Sequence, residues 1–188
     1  MGIMTGRVEV VAGPMFAGKT EELLRRVRRA TIARRRVQVF SHRLDVRRGE
    51  GRVSSHAGAE YPSLAVASAR EIADGVRPGV ELVAVDEAQF FDAGLVEVVD
   101  ELARGGAVVV VAGLDVTFDG RPFELITSLM ALAERVDKLT AICTICGEDA
   151  IFHARIDGAH SAATDVVAEH VGGGDKYEAR CRVHFRAD

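Results

Sequence analysis

Short, apolar, largely β-branched runs recur along this chain at 8–12, 37–41, 82–85, 107–112 and 138–142, and they predict strands. Between them, 21–33, 68–74, 94–103 and 124–134 carry apolar residues at helical spacing and predict helices. The strands are apolar throughout rather than alternating. That pattern, with helices interposed, predicts an α/β fold: a parallel sheet covered on both faces by helices. The stretch 47–62 is polar and contains glycine, and reads as a loop that orders on binding. Near Thr140 the pattern changes. All three cysteines and several glycines follow, with little helical periodicity, so a boundary is expected there. The predicted division is an α/β domain over 1–139 and a smaller domain over 140–188. No internal repeat is evident.

The turn after the first predicted strand is the most specific feature. Gly13, Pro14, Met15, Phe16, Ala17, Gly18, Lys19 and Thr20 match the phosphate-binding pattern G-x-x-x-x-G-K-[ST] at every fixed position. The pattern sits between a predicted strand and a predicted helix whose first turn holds Glu21 and Glu22. Such a turn points backbone N–H groups and the positive end of a helix at an anion. Lys19 is then expected to reach the β- and γ-phosphates of a nucleotide, and the Thr20 hydroxyl to ligate Mg²⁺. A P-loop NTPase-like sheet is the fold this implies.

Composition narrows the partners. The chain has 188 residues, 48% of them hydrophobic, with 5% aromatic and no Trp, so its core rests on Val, Leu, Ala and Ile. The net charge of −4 argues against a basic nucleic-acid surface. Seven arginines between Arg25 and Arg36 form the one basic cluster. With no aromatics interleaved, they read as a solvated helix face bonded in part to acids. No apolar run approaches the roughly 20 residues that cross a bilayer, and the N-terminus lacks a signal-like apolar stretch, so a cytoplasmic protein is expected. Cys143 and Cys146 have the spacing of a metal knuckle, and His184 lies three residues after Cys181. In a reducing compartment that spacing favours a metal over a disulfide.

A second acid site follows from the run Val83-Ala84-Val85-Asp86-Glu87. An acid closing an apolar strand in a P-loop protein suits Mg²⁺, which assigns Asp86 to the metal. Glu87, diverging from it, suits a proton acceptor beside the γ-phosphate. This chemistry permits an ATPase that activates water or a kinase that activates a substrate hydroxyl. A guanine-reading N-K-x-D segment is not present.

The wording of the motifs resembles the thymidine kinase family whose members carry a zinc-bearing C-terminal domain. The resemblance rests on Gly13–Leu23, on Asp86-Glu87-Ala88-Gln89-Phe90-Phe91, and on Leu114-Asp115-Val116-Thr117-Phe118 followed by Arg121-Pro122-Phe123. It also rests on Gly172-Gly173-Gly174-Asp175-Lys176-Tyr177 and on the two Cys/His pairs. It implies transfer of the γ-phosphate of ATP to the 5′-hydroxyl of thymidine, and of deoxyuridine as a further acceptor, in deoxynucleoside salvage. Glu87 would be the base, with Asp45, Arg47 and Gln89 among the nucleotide contacts. Asp45 would support the metal through water, and Arg47 would touch phosphate. Met15, Phe90, Leu114, Phe118 and Phe123 would surround the thymine, with His153 and Tyr177 near the base or sugar. A loop over 156–176 would cover the nucleoside, tethered by a structural Zn²⁺ on Cys143, Cys146, Cys181 and His184. A homotetramer, inhibition by dTTP and no nucleic-acid or membrane partner are also implied. His153 stands where most relatives have Thr and Glu124 where Gly is usual, which bears on nucleoside breadth. The rival expectation is a P-loop ATPase with a zinc-ribbon nucleic-acid module.

Overall fold

The computed structural model describes residues 6–45, 51–54, 58, 60–156 and 176–185. Its centre is a sheet of six strands: β1 (Arg7–Gly13), β2 (Val37–His42), β5 (Leu64–Val66), β6 (Leu82–Asp86), β7 (Val108–Leu114) and β8 (Arg135–Lys138). They lie in the order β5-β2-β6-β7-β1-β8, and every pairing is parallel. All strands therefore end at one edge, where an open α/β sheet collects its ligands.

Four helices cover the sheet. The helix α1 (Lys19–Ile32) buries Leu23, Leu24, Val27 and Ala30 against Val11, Val39, Ala84 and Val110 on one face. The other face receives α2 (Ala69–Gly75), α3 (Leu95–Arg104) and α4 (Glu124–Leu132) through Ile72, Leu95, Val99, Ile126 and Leu129. The strands are thus covered on both sides, which is why they read as unbroken apolar runs. Helix starts follow local chemistry. Ser68 caps α2 by accepting from the Glu71 N–H at 3.2 Å, and the acids Glu21 and Glu22 occupy the first turn of α1. The arginine cluster is only partly the solvated helix face expected, since Arg34, Arg35 and Arg36 follow the end of α1 and Arg26 is buried. Arg25 pairs with Glu22, and buried Arg26 ties α1 to Glu22, to Glu9 on β1 at 2.7 Å and to Asp137 on β8. None of the four helices is long and apolar enough to cross a membrane.

Two expectations need correction. The predicted strand 138–142 is two strands in different sheets. β8 ends at Lys138, and the chain turns at Leu139 before β9 (Ala141–Ile142) pairs antiparallel with β10 (Asp149–Ala150). The Leu139 N–H still donates to Ala12 at 2.8 Å, so the apolar run continues across the break and hides it. The stretch 47–62 is also more than a loop. It contains the hairpin β3 (Arg52–Ser54) and β4 (Glu60–Pro62). Among its described residues only Val53 is buried, against α1, with Tyr61 partly buried on the same cluster, while Arg52 and Glu60 pair at 2.5 Å on its exposed side. Strands of three residues leave too short an alternation to detect. A last pair, β11 (Phe152–Arg155) with β12 (Tyr177–Arg180), returns the chain to the second Cys/His pair.

Candidate functional site

The turn that matches the phosphate-binding pattern, a candidate phosphate cradle, lies where β1 meets α1. Gly13 has φ +153°, and a Cβ there would lie 2.6 Å from the Leu139 carbonyl oxygen. Gly18 takes φ +80° as the residue that starts α1, and its carbonyl accepts the Glu22 N–H at 3.0 Å. Phe16 also has positive φ, at +67°, with its ring exposed. The turn is therefore built on backbone conformations that side chains disfavour. Lys19 curls over it, donating to the Pro14 carbonyl at 2.7 Å. Replacing Gly13 with Ala is expected to destabilise the fold by about 1–3 kcal/mol and to weaken any nucleotide binding at the turn with it. Calorimetric titration and thermal melts would read both.

Asp86 closes β6, and β7 lies between that strand and β1. The Thr20 hydroxyl spans the gap and donates to Asp86 at 3.0 Å. Burial, then the charges of Glu87 and Asp45, push the Asp86 carboxyl up to about 7. Asp86 and the Thr20 hydroxyl, within the field of the Glu87 and Asp45 charges, are oxygen donors that would suit a hard divalent ion such as Mg²⁺. Glu87 has φ +52° and is half-buried, so the chain turns sharply at the residue after Asp86 and separates the two acids.

Gln89, expected among the nucleotide contacts, bridges Glu87 and the strand end at Leu114. Its amide nitrogen donates to Glu87, and its oxygen accepts the Leu114 N–H at 3.0 Å. Leu114 belongs to a separate apolar cluster with Met15 and Tyr177, against which Phe118 and Phe123 pack. Five of the residues expected around a base are therefore gathered in one place. His153 is fully buried and meets Tyr177 edge-on at 5.7 Å. Phe90 lies elsewhere, 6.0 Å from the His42 ring. Arg47 and the glycines at 172–174 fall outside the described residues, as does most of the expected covering loop.

Sequence reasoning gave no role to Asp115, although it too closes an apolar strand. It is buried and pairs with Lys138 at 2.8 Å. Since β1 lies between β7 and β8, this pair reaches across the strand that leads into the cradle. The strand-end acid that marks Asp86 was the available signal.

Cys143, Cys146, Cys181 and His184 gather with their ligand atoms all within 4.8 Å of one another. A tetrahedral Zn²⁺ with bonds of about 2.3 Å to sulfur and about 2.0 Å to nitrogen needs edges of roughly 3.5–3.8 Å. The observed separations are 3.7 Å for Cys146 to Cys181, 3.7 Å for Cys143 to His184 Nδ1 and 3.3 Å for Cys181 to His184 Nδ1. Desolvation opposes ionisation of Cys143, but the N–H groups around it outweigh that and bring its thiol down to about 5. The set fits a closed structural zinc. Its small core of Ala141, Cys143, Ala150, Ala179 and Cys181 packs against Ala17 of the phosphate turn. Cys146→Ser is expected to lose zinc on dialysis against chelator. Full zinc content by metal analysis would contradict the ligand set.

The model of the family described as thymidine kinase matches residues 6–185. Among solved structures, domain III of the Thermotoga maritima replication initiation protein DnaA aligns at 14% identity with a TM-score of 0.44. That alignment covers 72% of this chain and 56% of that one. The Pif1 helicase from Candida albicans aligns at 14% identity and a TM-score of 0.42, over 73% of this chain and 36% of that one. The chain thus spans about half the length of the first and about a third of the second, and these likenesses add nothing to the assignment. With the family match running nearly end to end, over a chain that holds a phosphate cradle, two strand-end acids and an apolar cluster at one sheet edge, this protein belongs to the thymidine kinase family.

Proposed function

We propose that this protein transfers the γ-phosphate of ATP to the 5′-hydroxyl of thymidine. One observation carries the reading: Gln89 links Glu87 to the Leu114 N–H, which sets a carboxylate beside the apolar cluster of Met15, Leu114 and Tyr177. A flat base with a methyl group suits that cluster, and Glu87 is then the group that takes the 5′-hydroxyl proton. The N–H groups of the cradle and Lys19 bind and orient the phosphates. Thr20 and Asp86 are the residues that would hold Mg²⁺, whose chemistry is to offset charge on the β- and γ-oxygens. Asp45 supports that site from its edge, and Arg47 contacts phosphate. We assign 1–139 to the ATP-binding domain and 140–188 to the zinc-bearing domain, whose metal tethers the segment that covers the nucleoside.

The test is a panel of nucleosides incubated with ATP and Mg²⁺ and read by product mass. Thymidine monophosphate is the expected product, with deoxyuridine a weaker acceptor. ATP hydrolysis that proceeds at the same rate without any nucleoside would overturn the reading in favour of an ATPase.

A further inference from the structure

We propose that His42 is a positioning residue for the proposed reaction, holding the turn that carries Asp45 against the segment that carries Glu87. His42 ends β2 and is 5% exposed. Its Nε2 lies 3.1 Å from the Ala67 carbonyl oxygen, and the Leu44 N–H donates to its Nδ1 at 3.2 Å. Both bonds exist together in one neutral tautomer, with the proton on Nε2. The His42 carbonyl accepts the Asp45 N–H at 2.9 Å, so two successive N–H groups of the turn return to this one residue. The ring also stands edge-on to Phe91 at 4.7 Å and lies 6.0 Å from Phe90. Phe90 and Phe91 are tied back by N–H bonds to the carbonyls of Glu87 and Ala88. One imidazole therefore touches both acid-bearing segments, which come from neighbouring strands, β2 and β6.

The surroundings favour the neutral ring. Burial lowers the imidazole pKa most, with Arg43 adding to it, while the Ala67 carbonyl, Glu71 of α2 and Asp92 beyond Phe91 pull the other way. A histidine that merely fills space would need the contact with Phe91 but neither nitrogen.

Two substitutions separate the possibilities. His42→Phe keeps an aromatic ring and loses both bonds. His42→Asn keeps an acceptor for the N–H two residues on, in the manner of an Asx-turn. For His42→Phe we expect faster hydrogen exchange at the Leu44 and Asp45 amides. We also expect the KM for MgATP to rise about 10-fold, the scale of a lost supporting contact, with the thymidine KM within about twofold of wild type. His42→Asn restores protection and most of the ATP affinity. Unchanged exchange and ATP KM in His42→Phe would overturn the proposal, as would an Asn variant impaired as deeply as the Phe variant. The proposal rests on the kinase reading, yet the two fail differently. Wild-type protein that makes no thymidine monophosphate would remove the kinase reading, and the amide exchange would still decide the role of His42.

Discussion

Glu87→Gln is expected to bind ATP with near-normal affinity and to turn over roughly 10²-fold more slowly, or worse, the usual scale for a general base. The geometry makes this substitution clean. Gln89 donates its amide to Glu87, and an introduced glutamine still offers an oxygen to that donor. The positive φ at residue 87 belongs to the backbone turn, which the substitution leaves alone. The ability to take a proton is lost, together with a charge whose removal eases ionisation of Asp86. Steady-state kinetics with saturating thymidine, beside ATP titration of the same preparation, would separate the two effects. Turnover near the wild-type rate would show that another group accepts the proton.

Asp86→Asn is expected to move activity and stability in opposite directions. Asp86 is buried beside Glu87 and Asp45, and its carboxyl is raised from the ordinary 3.8 to about 7. The folded protein therefore prefers the protonated form. The stability this group contributes is complete below about pH 4 and is lost as pH rises through about 7. A difference of about three pH units corresponds to on the order of 4 kcal/mol at most. Asparagine keeps an oxygen for the Thr20 hydroxyl and carries no charge. Without divalent ions, the variant should melt several degrees above wild type at pH 8, on the order of 5–10 °C, and the gap should shrink towards pH 5. Added Mg²⁺ should raise the wild-type Tm and close the gap from the other side. Activity should fall about 10²–10³-fold, as when one electrostatic stabiliser is removed. Equal melting temperatures at pH 8 would mean that the Asp86 charge is not held at a cost. A site that trades stability for function in this way is common where like charges await a ligand.

Much of this site was legible because its signals are local. The spacing of Gly13, Gly18, Lys19 and Thr20 calls for a tight turn between a strand and a helix, and the structure has that turn between β1 and α1. Asp86 could be read because an acid ending an apolar run has few other uses. The Cys143, Cys146, Cys181 and His184 set could be read because four such donors in two short pairs suit one ion. The hairpin of β3 and β4 was not legible, because its strands are three residues long and its described apolar contacts are a buried Val53 and a partly buried Tyr61 beside an exposed ion pair. The break after Lys138 was hidden because apolar character continues through a change of sheet.

By itself the sequence determined the chemistry available: a turn of the phosphate-binding pattern, acids at strand ends, thiolates and an imidazole spaced for zinc. The tertiary structure alone decided which of these groups meet. It set β7 between the cradle strand and the acid strand, joined Gln89 to both Glu87 and Leu114, and buried Arg26 among Glu9, Glu22 and Asp137. It also stood His42 between two loops and paired Asp115 with Lys138 across β1. Each of these polar side chains reads as surface when taken one at a time. Their roles come from partners distant in sequence, brought close because burying the apolar strands and helices fixes the order of the sheet, and that order fixes which ends are neighbours.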